Sequence, residues 1–277
     1  MGLADFKPTI WSAALQGHLD KSLVAGSVVN TQYESELTYG KSIVINKIGA
    51  VSVADYDPDA TTISPAAVTT TDQTLNVDVA KYFAIKVDDV DAAQARASVL
   101  DDATRRGAYA FADAIDSELL STMIDNRAGG NDVGSGASPY FINVTGQSAY
   151  SLLVELAAKL TQAKVPMTDR FAIVTPAFAA KLVLDDRLNR ASVSGDNVAT
   201  SGMVGEAAGF RVLVSHNMTE NLVLAGHDVS TAFVQQVNKV EAYRDPATFS
   251  DVIRALVVCG FKVIEPTALA AGIWGLD

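Results

Sequence analysis

Between Asp88 and Asp125 the chain runs for roughly 38 residues without a proline. At the α-helical rise of 1.5 Å that is about 57 Å of rod, several times the average helix of ~11 residues. Val90, Ala93, Ala97, Leu100, Ala103, Gly107, Phe111, Ile115, Leu119 and Met123 follow each other at helical spacing and trace one apolar stripe. Asp88, Asp89 and Asp91 suit the positive end of the helix dipole. Asn126 and the run 129–136 end the helix. The stripe is rich in small residues (Ala93, Ala97, Ala103 and Gly107), so neighbouring elements can approach it closely. Whatever this chain folds into must be organised around a long, small-residue helix.

Upstream, residues 40–55 and 74–87 read as two long strands. Ile43, Ile45, Val51 and Val53 alternate in the first, and Leu75, Val77, Val79, Phe83, Ile85 and Val87 in the second, with Lys81 the exception. Val44 and Ile48 add apolar groups on the other side. The connector, DYDPDATTISPAAVTTTDQ, is too long and too rich in Pro, Asp and Thr for a tight turn. A two-stranded ribbon by itself is marginal in water, so this one must lie on something. Residues 1–36 form an arm. Pro8 opens a weakly amphipathic stretch with Ile10, Trp11, Leu15, Leu19 and Leu23, interrupted by Gly17 and Gly26.

From residue 137 onward the pattern is α/β. Tyr140–Val144 and Phe171–Val174 read as strands. A helix runs over Ser148–Lys164, and a second starts at Thr175-Pro176, a capping hydroxyl followed by proline at the first helical position, and runs to about Asn189. Residues 191–205 are a polar loop. Phe210–Ser215, Leu222–Ala225, Val229–Gln236, Val240–Tyr243 and Val252–Ile264 supply further strands.

Composition narrows the function classes. The chain is 49% hydrophobic and 19% charged, yet no window approaches the ~18 apolar residues of a membrane helix. MGLADFKPTIW lacks the basic and apolar regions of a secretory signal. Burial between subunits is the simplest destination for the excess apolar surface. The 21 basic against 32 acidic residues, net −11, do not suit a tight nucleic-acid binder. The one cysteine, Cys259, lies in an apolar run and reads as a small buried hydrophobe, consistent with a reducing compartment.

No constellation carries catalytic chemistry. His18, His216 and His227 are scattered, and no His/Cys/carboxylate group has metal-ligand spacing; His227 and Asp228 are adjacent and expected to diverge along a strand. AGGNDVGSGASP, residues 128–139, lacks the Lys-Ser or Lys-Thr of a phosphate loop and reads as a flexible linker. Asp55, Asp57 and Asp59 begin like a calcium loop, but Ala60 and Ala66 stand where glycine and glutamate are needed. No catalytic, cofactor-binding or metal site is therefore assigned. Arg105 and Arg106 pair naturally with Asp101 and Asp102 four residues earlier, with an intersubunit contact as the second reading. An acidic tip at Tyr56, Asp57 and Asp59 meeting a basic patch on another subunit is the better use of those residues. Trp11 and Tyr56 are candidate interface aromatics, and Trp11 serves equally well packed on its own core.

The order of parts is the most specific feature. YESEL followed by GKSIVINKIGAVSVADYD (33–57), GMVGEAAGFRVLVSHNM (202–218) and AFVQQVNKVEAYRDPATFSDVIRALVVCGFKVIEPTALA (232–270) resemble, in that order, stretches of the Hong Kong 97-type major capsid proteins of tailed bacteriophages. The resemblance implies an α+β fold of five parts: an N-arm (1–36), an extended two-stranded loop (37–87), a peripheral domain with a spine helix (88–136), an axial α/β domain (137–240) and a return to the peripheral sheet (241–277). It implies self-assembly through pentamers and hexamers into an icosahedral shell enclosing double-stranded DNA, built in the host cytoplasm, with a portal at one vertex. It also implies that a neighbour's peripheral domain covers the ribbon at 40–87. Some members cross-link through a lysine near the loop tip; residues 56–73 contain none, so no such linkage is expected. The arm begins within a few residues of Met1, so a separate scaffolding protein is expected rather than a fused one. An encapsulin-like nanocompartment is the nearest alternative, and an oligomeric cytoplasmic α/β enzyme the alternative from another class.

Overall fold

The computed structural model describes residues 24–36, 40–49, 53, 55, 67, 70–88, 99–142, 147–185 and 205–276. Three helices are described: α1 Val99–Asp125, α2 Ala149–Gln162 and α3 Pro176–Val183. The strands are β1 Ser42–Ile48, β2 Thr70–Asn76, β3 Val79–Asp88, β4 Tyr140–Ile142, β5 Arg170–Val174, β6 Glu206–Ala207, β7 Phe210–Val214, β8 Leu222–His227, β9 Thr231–Arg244, β10 Ser250–Val263 and β11 Leu269–Leu276. They form a ribbon β1-β2, an antiparallel sheet β3-β10-β9, and a mixed six-stranded sheet β4-β11-β8-β5-β7-β6.

The six-stranded sheet is covered on both faces. Ala172, Val174, Val223, Ala225 and Ala270 turn toward Leu152, Leu153, Leu156 and Leu160 of α2 and Phe178 and Leu182 of α3. Phe171, Ile173, Leu224, Leu269 and Ala271 turn the other way, into a core shared with α1. That explains why every residue of β5 is buried: it lies between two helical layers, and its sequence RFAIV alternates only between two apolar environments. Both short helices start as their sequences dictate. Ser148 Oγ accepts the Ser151 amide at 3.2 Å, and Thr175 Oγ1 accepts that of Phe178 at 3.3 Å ahead of Pro176.

Helix α1 joins the two sheets. Its buried residues Ala108, Phe111, Ala112, Ile115, Leu119, Leu120 and Met123 pack against β5, β8 and β11 on one side and against Phe233, Ile253, Ala255, Val257 and Cys259 of β9 and β10 on the other. Gly107 lies under the Phe83 ring, where an added Cβ would sit 2.9 Å from the ring. The small-residue stripe is the means of that approach.

Four expectations need correction. The two long upstream strands do not pair along their length. The second divides at Val77–Asp78, so that residues 70–76 pair with β1 while residues 79–88 cross into the three-stranded sheet. The expected strands 229–236 and 240–243 are one strand, β9. Its register with β10 slips at Leu256/Val257, and such a bulge shifts the alternation by one residue and hides the continuity. After β10 the chain does not stay with the three-stranded sheet, as the expected closing segment 241–277 would: β11 enters the six-stranded sheet between β4 and β8. Finally, the glycine-rich stretch 128–139 is a built connection. Ala128 N donates to Pro266 O at 3.0 Å, Val133 exchanges 2.9 Å bonds with Ala271 and Ile273, and Arg127 grips Asp132 with Nε and Nη2. Gly134 has φ +77°, and a Cβ there would meet Ile273 O at 2.4 Å, so glycine is required by backbone contact.

Candidate assembly surface

The arm, the ribbon and the exposed face of α1 are the parts that the sequence assigns to contacts between copies. The arm is anchored first. Asp116 sits on the buried stripe of α1, 2% exposed. Its Oδ1 accepts the backbone amides of Val24 at 3.0 Å and Ala25 at 2.7 Å. Its Oδ2 accepts from Asn217 Nδ2 at 3.2 Å and Ser215 Oγ at 3.4 Å. A buried carboxylate is tolerable only when its lone pairs are satisfied, and here the arm supplies half the donors. Further along, Asn30 bridges the edge of β9, donating to Thr231 O at 2.9 Å and accepting from Phe233 N at 3.0 Å. Sequence reading missed Asp116 because a helical stripe is read by its apolar members.

The ribbon is seated on its own subunit. Ile43, Ile45, Leu75 and Val77 are buried against Ala232 and Val234 on the sheet face opposite α1. The ribbon crosses at Gly260, where a Cβ would lie 2.3 Å from Asn76 O. This corrects the expectation that a neighbour covers the whole ribbon: the root's inner face is covered in cis. Four buried aliphatic side chains, each worth about 1.5–3 kcal/mol, fix the root firmly. Polar contacts add to the seat: Lys262 Nζ donates to Thr74 O at 3.0 Å within the root, and further out Gln73 Nε2 donates to Ile264 O at 3.3 Å and Lys47 Nζ pairs with Glu265 Oε2. The lysine beside it holds Glu265 below the usual carboxylate pKa range. The outer face of β1 is open: Val44 is 57% exposed and Ile48 68%.

Arg105 and Arg106 are exposed on α1. The side chains of Asp101 and Asp102 lie outside the described residues, as do Trp11, Tyr56, Asp57 and Asp59. An apolar groove of about 300 Å³ runs between β3 and α1, lined by Ala80, Phe83, Gly107, Ala110, Phe111 and Ala114. A second concavity of about 430 Å³ lies between the arm turn, β5 and the β6–β7 hairpin. Its Arg170 is locked: Nε donates to Pro166 O at 2.7 Å, Nη1 to Ala157 O at 3.1 Å and Nη2 to Val165 O at 2.7 Å. Burial pushes its pKa down. His227 and Asp228 do not diverge as expected. The chain leaves the strand at His227 for a single 3-10 turn, which leaves His227 Nδ1 2.6 Å from Asp228 Oδ1 and accepting from Val229 N. Among the described residues no group of His, Cys, Asp and Glu could hold a metal, and no helix is long and apolar enough to cross a membrane.

These features define a class: a mixed α/β subunit whose arm and ribbon wrap its own sheets while a β-branched outer strip stays uncovered. A family model described as phage capsid protein matches residues 70–272. A solved structure from Mycobacterium phage Che8 is 30% identical over 90% of this chain and 90% of that one, with a TM-score of 0.75. The capsid structure of the cyanophage P-SCSP1u, 16% identical, covers 90% and 86% with a TM-score of 0.72. The asymmetric unit of the bacteriophage PhiM1 mature capsid, 13% identical, covers 85% and 82% with a TM-score of 0.64. These last two speak for the fold alone. No curated protein sequence matches. The chain belongs to the phage capsid protein family. It is a major capsid protein, a structural component of a bacteriophage shell that assembles with copies of itself.

Proposed function

We propose that the chain adopts the Hong Kong 97-type arrangement and closes, through pentamers and hexamers, into an icosahedral shell around double-stranded DNA. The observation that carries this reading is the ribbon: its root is built into the subunit, while Val44 and Ile48 on its outer face are exposed. Residues 1–36 act as the N-arm, 37–87 as the extended loop, 88–136 as the peripheral domain around α1, and 137–240 as the axial domain. The closing segment 241–277 serves the peripheral sheet through β10 and returns through β11. One fold placed in slightly different surroundings makes both ring types. The role is geometric and calls for no active site, cofactor or metal.

Arg105 and Arg106, exposed on α1, are the basic side of a contact with the acidic tip at Tyr56, Asp57 and Asp59 of another copy, and Trp11 anchors the arm. A separate scaffolding protein and a portal complete assembly in the host cytoplasm, and DNA is held without sequence recognition, in keeping with the net charge of −11. Negative-stain microscopy of the purified protein, intact and with residues 50–69 deleted, tests the reading. Closed shells are expected from the intact chain and rings or aggregates from the deletion. Equal shells from both would remove the ribbon's role, and a co-purifying enzyme in place of DNA would turn the reading toward an encapsulin-like compartment.

A further inference from the structure

The inward-facing row of β1 reads Ile43, Ile45, Lys47; on the facing strand the row starts at Val77, just past β2, and continues through Leu75, Gln73 and Thr71. Ile43 opposes Leu75, Ile45 opposes Gln73 and Lys47 opposes Thr71, so β2 turns polar one facing pair before β1 and the mixed pair of Ile45 and Gln73 marks the change. Below that level the ribbon is buried on β9. From that level outward the described side-chain contacts to the body are polar, Gln73 to Ile264 O and Lys47 to Glu265, while Lys262 Nζ reaches Thr74 O within the root, opposite Val44. Glu265 is itself held in place: its amide donates to Ser230 O at 3.1 Å and its Oε1 accepts from Thr267 Oγ1 at 2.7 Å. A continuous apolar row would have glued the whole ribbon to the body. The switch in chemistry instead divides it into a fixed root and a part whose described contacts are with groups that water can replace.

We propose that Lys47 and Gln73 with Ile264 and Glu265 form a releasable clasp. It sets the direction in which the distal ribbon leaves the subunit, and it opens without disturbing the root. The proposal deepens the shell reading, since a subunit that must fit more than one ring geometry needs a ribbon whose angle can change. Its test does not require assembly.

Hydrogen exchange is followed on the unassembled subunit at pH 7, in wild type and in E265Q, at low and high salt. In E265Q, amides of 46–48 and 70–72 are expected to exchange about two- to fivefold faster, the range for losing one exposed ion pair. Residues 43–45, 75–77 and β5 are expected to be unchanged. High salt should reproduce the effect in wild type and add nothing in the variant, because exposed pairs are screened. A ribbon that exchanges uniformly and ignores both E265Q and salt would overturn the clasp. So would a root that loosens in step with the distal part. Failure of the wild type to form shells would count against the shell reading and leave these exchange results standing.

Discussion

The carboxylate of Asp116 accepts the amide of Ala25 at 2.7 Å across 91 positions of sequence, so the arm is tied to the middle of the long helix by one buried group. Asp116→Ala strands two arm amides together with Ser215 and Asn217. A loss of about 2–4 kcal/mol is expected, with Asp116→Asn recovering roughly half because one acceptor returns. Denaturant unfolding of the unassembled subunit measures it, since assembly raises apparent stability by mass action. Proteolysis should cut near residue 24 in the alanine variant first.

Gly260 lies beneath the ribbon. In Gly260→Ala the new Cβ, 2.3 Å from Asn76 O, must push the ribbon off β10 at a cost of about 1–3 kcal/mol. Gly129→Ala, with nothing within 4 Å of its Cβ, is the control and should be neutral. Equal thermal midpoints for the two variants would refute the close crossing.

The β6–β7 turn places Ala208 at φ +51° and Gly209 at φ +80°. Two left-handed residues in succession suit Asn-Gly better than Ala-Gly. Ala208→Asn is expected to stabilise the subunit by about 0.5–1 kcal/mol, read as a higher denaturant midpoint with unchanged slope.

At the tip of the β9–β10 hairpin, the Ala247 amide, Lys86 and Thr248 hold Asp245 down to about 2, below its ordinary 3.8. A depressed carboxylate contributes stability that is complete above its unfolded value and is lost as pH falls through the folded one. The tip contacts should therefore persist at pH 5 and loosen between about pH 4 and 2. NMR titration of the Ala247 and Thr248 amides checks this; a midpoint near 4 would contradict it.

Burial pushes the Cys259 thiol up to about 12. Native subunits should resist thiol reagents at pH 8 and react only as fast as the core opens. Rapid labelling without unfolding would show that the core between α1 and β10 is open.

Capping and spacing are local, and the sequence alone located what they govern: the start of α2 at Ser148, the start of α3 at Thr175-Pro176, the apolar stripe from Phe111 to Met123, and the strands from Phe171 and Phe210. Compositional balance likewise pointed to burial between copies. Tertiary structure decided what depends on partners far along the chain. The alternation of residues 74–87 is the same whether they form one strand or two, and only the competition between β1 and β10 for pairing splits it at Val77–Asp78. A bulge reverses the phase of β9, so period alone reads it as two strands. Gly134 reads as a linker residue until the backbone of β11 lies against it. Asp116 is a polar break in an apolar stripe until the arm's amides arrive to satisfy it. Each of these is set by pairing and hydrogen-bond satisfaction at long range, and a linear pattern carries no record of which distant group will close the bond.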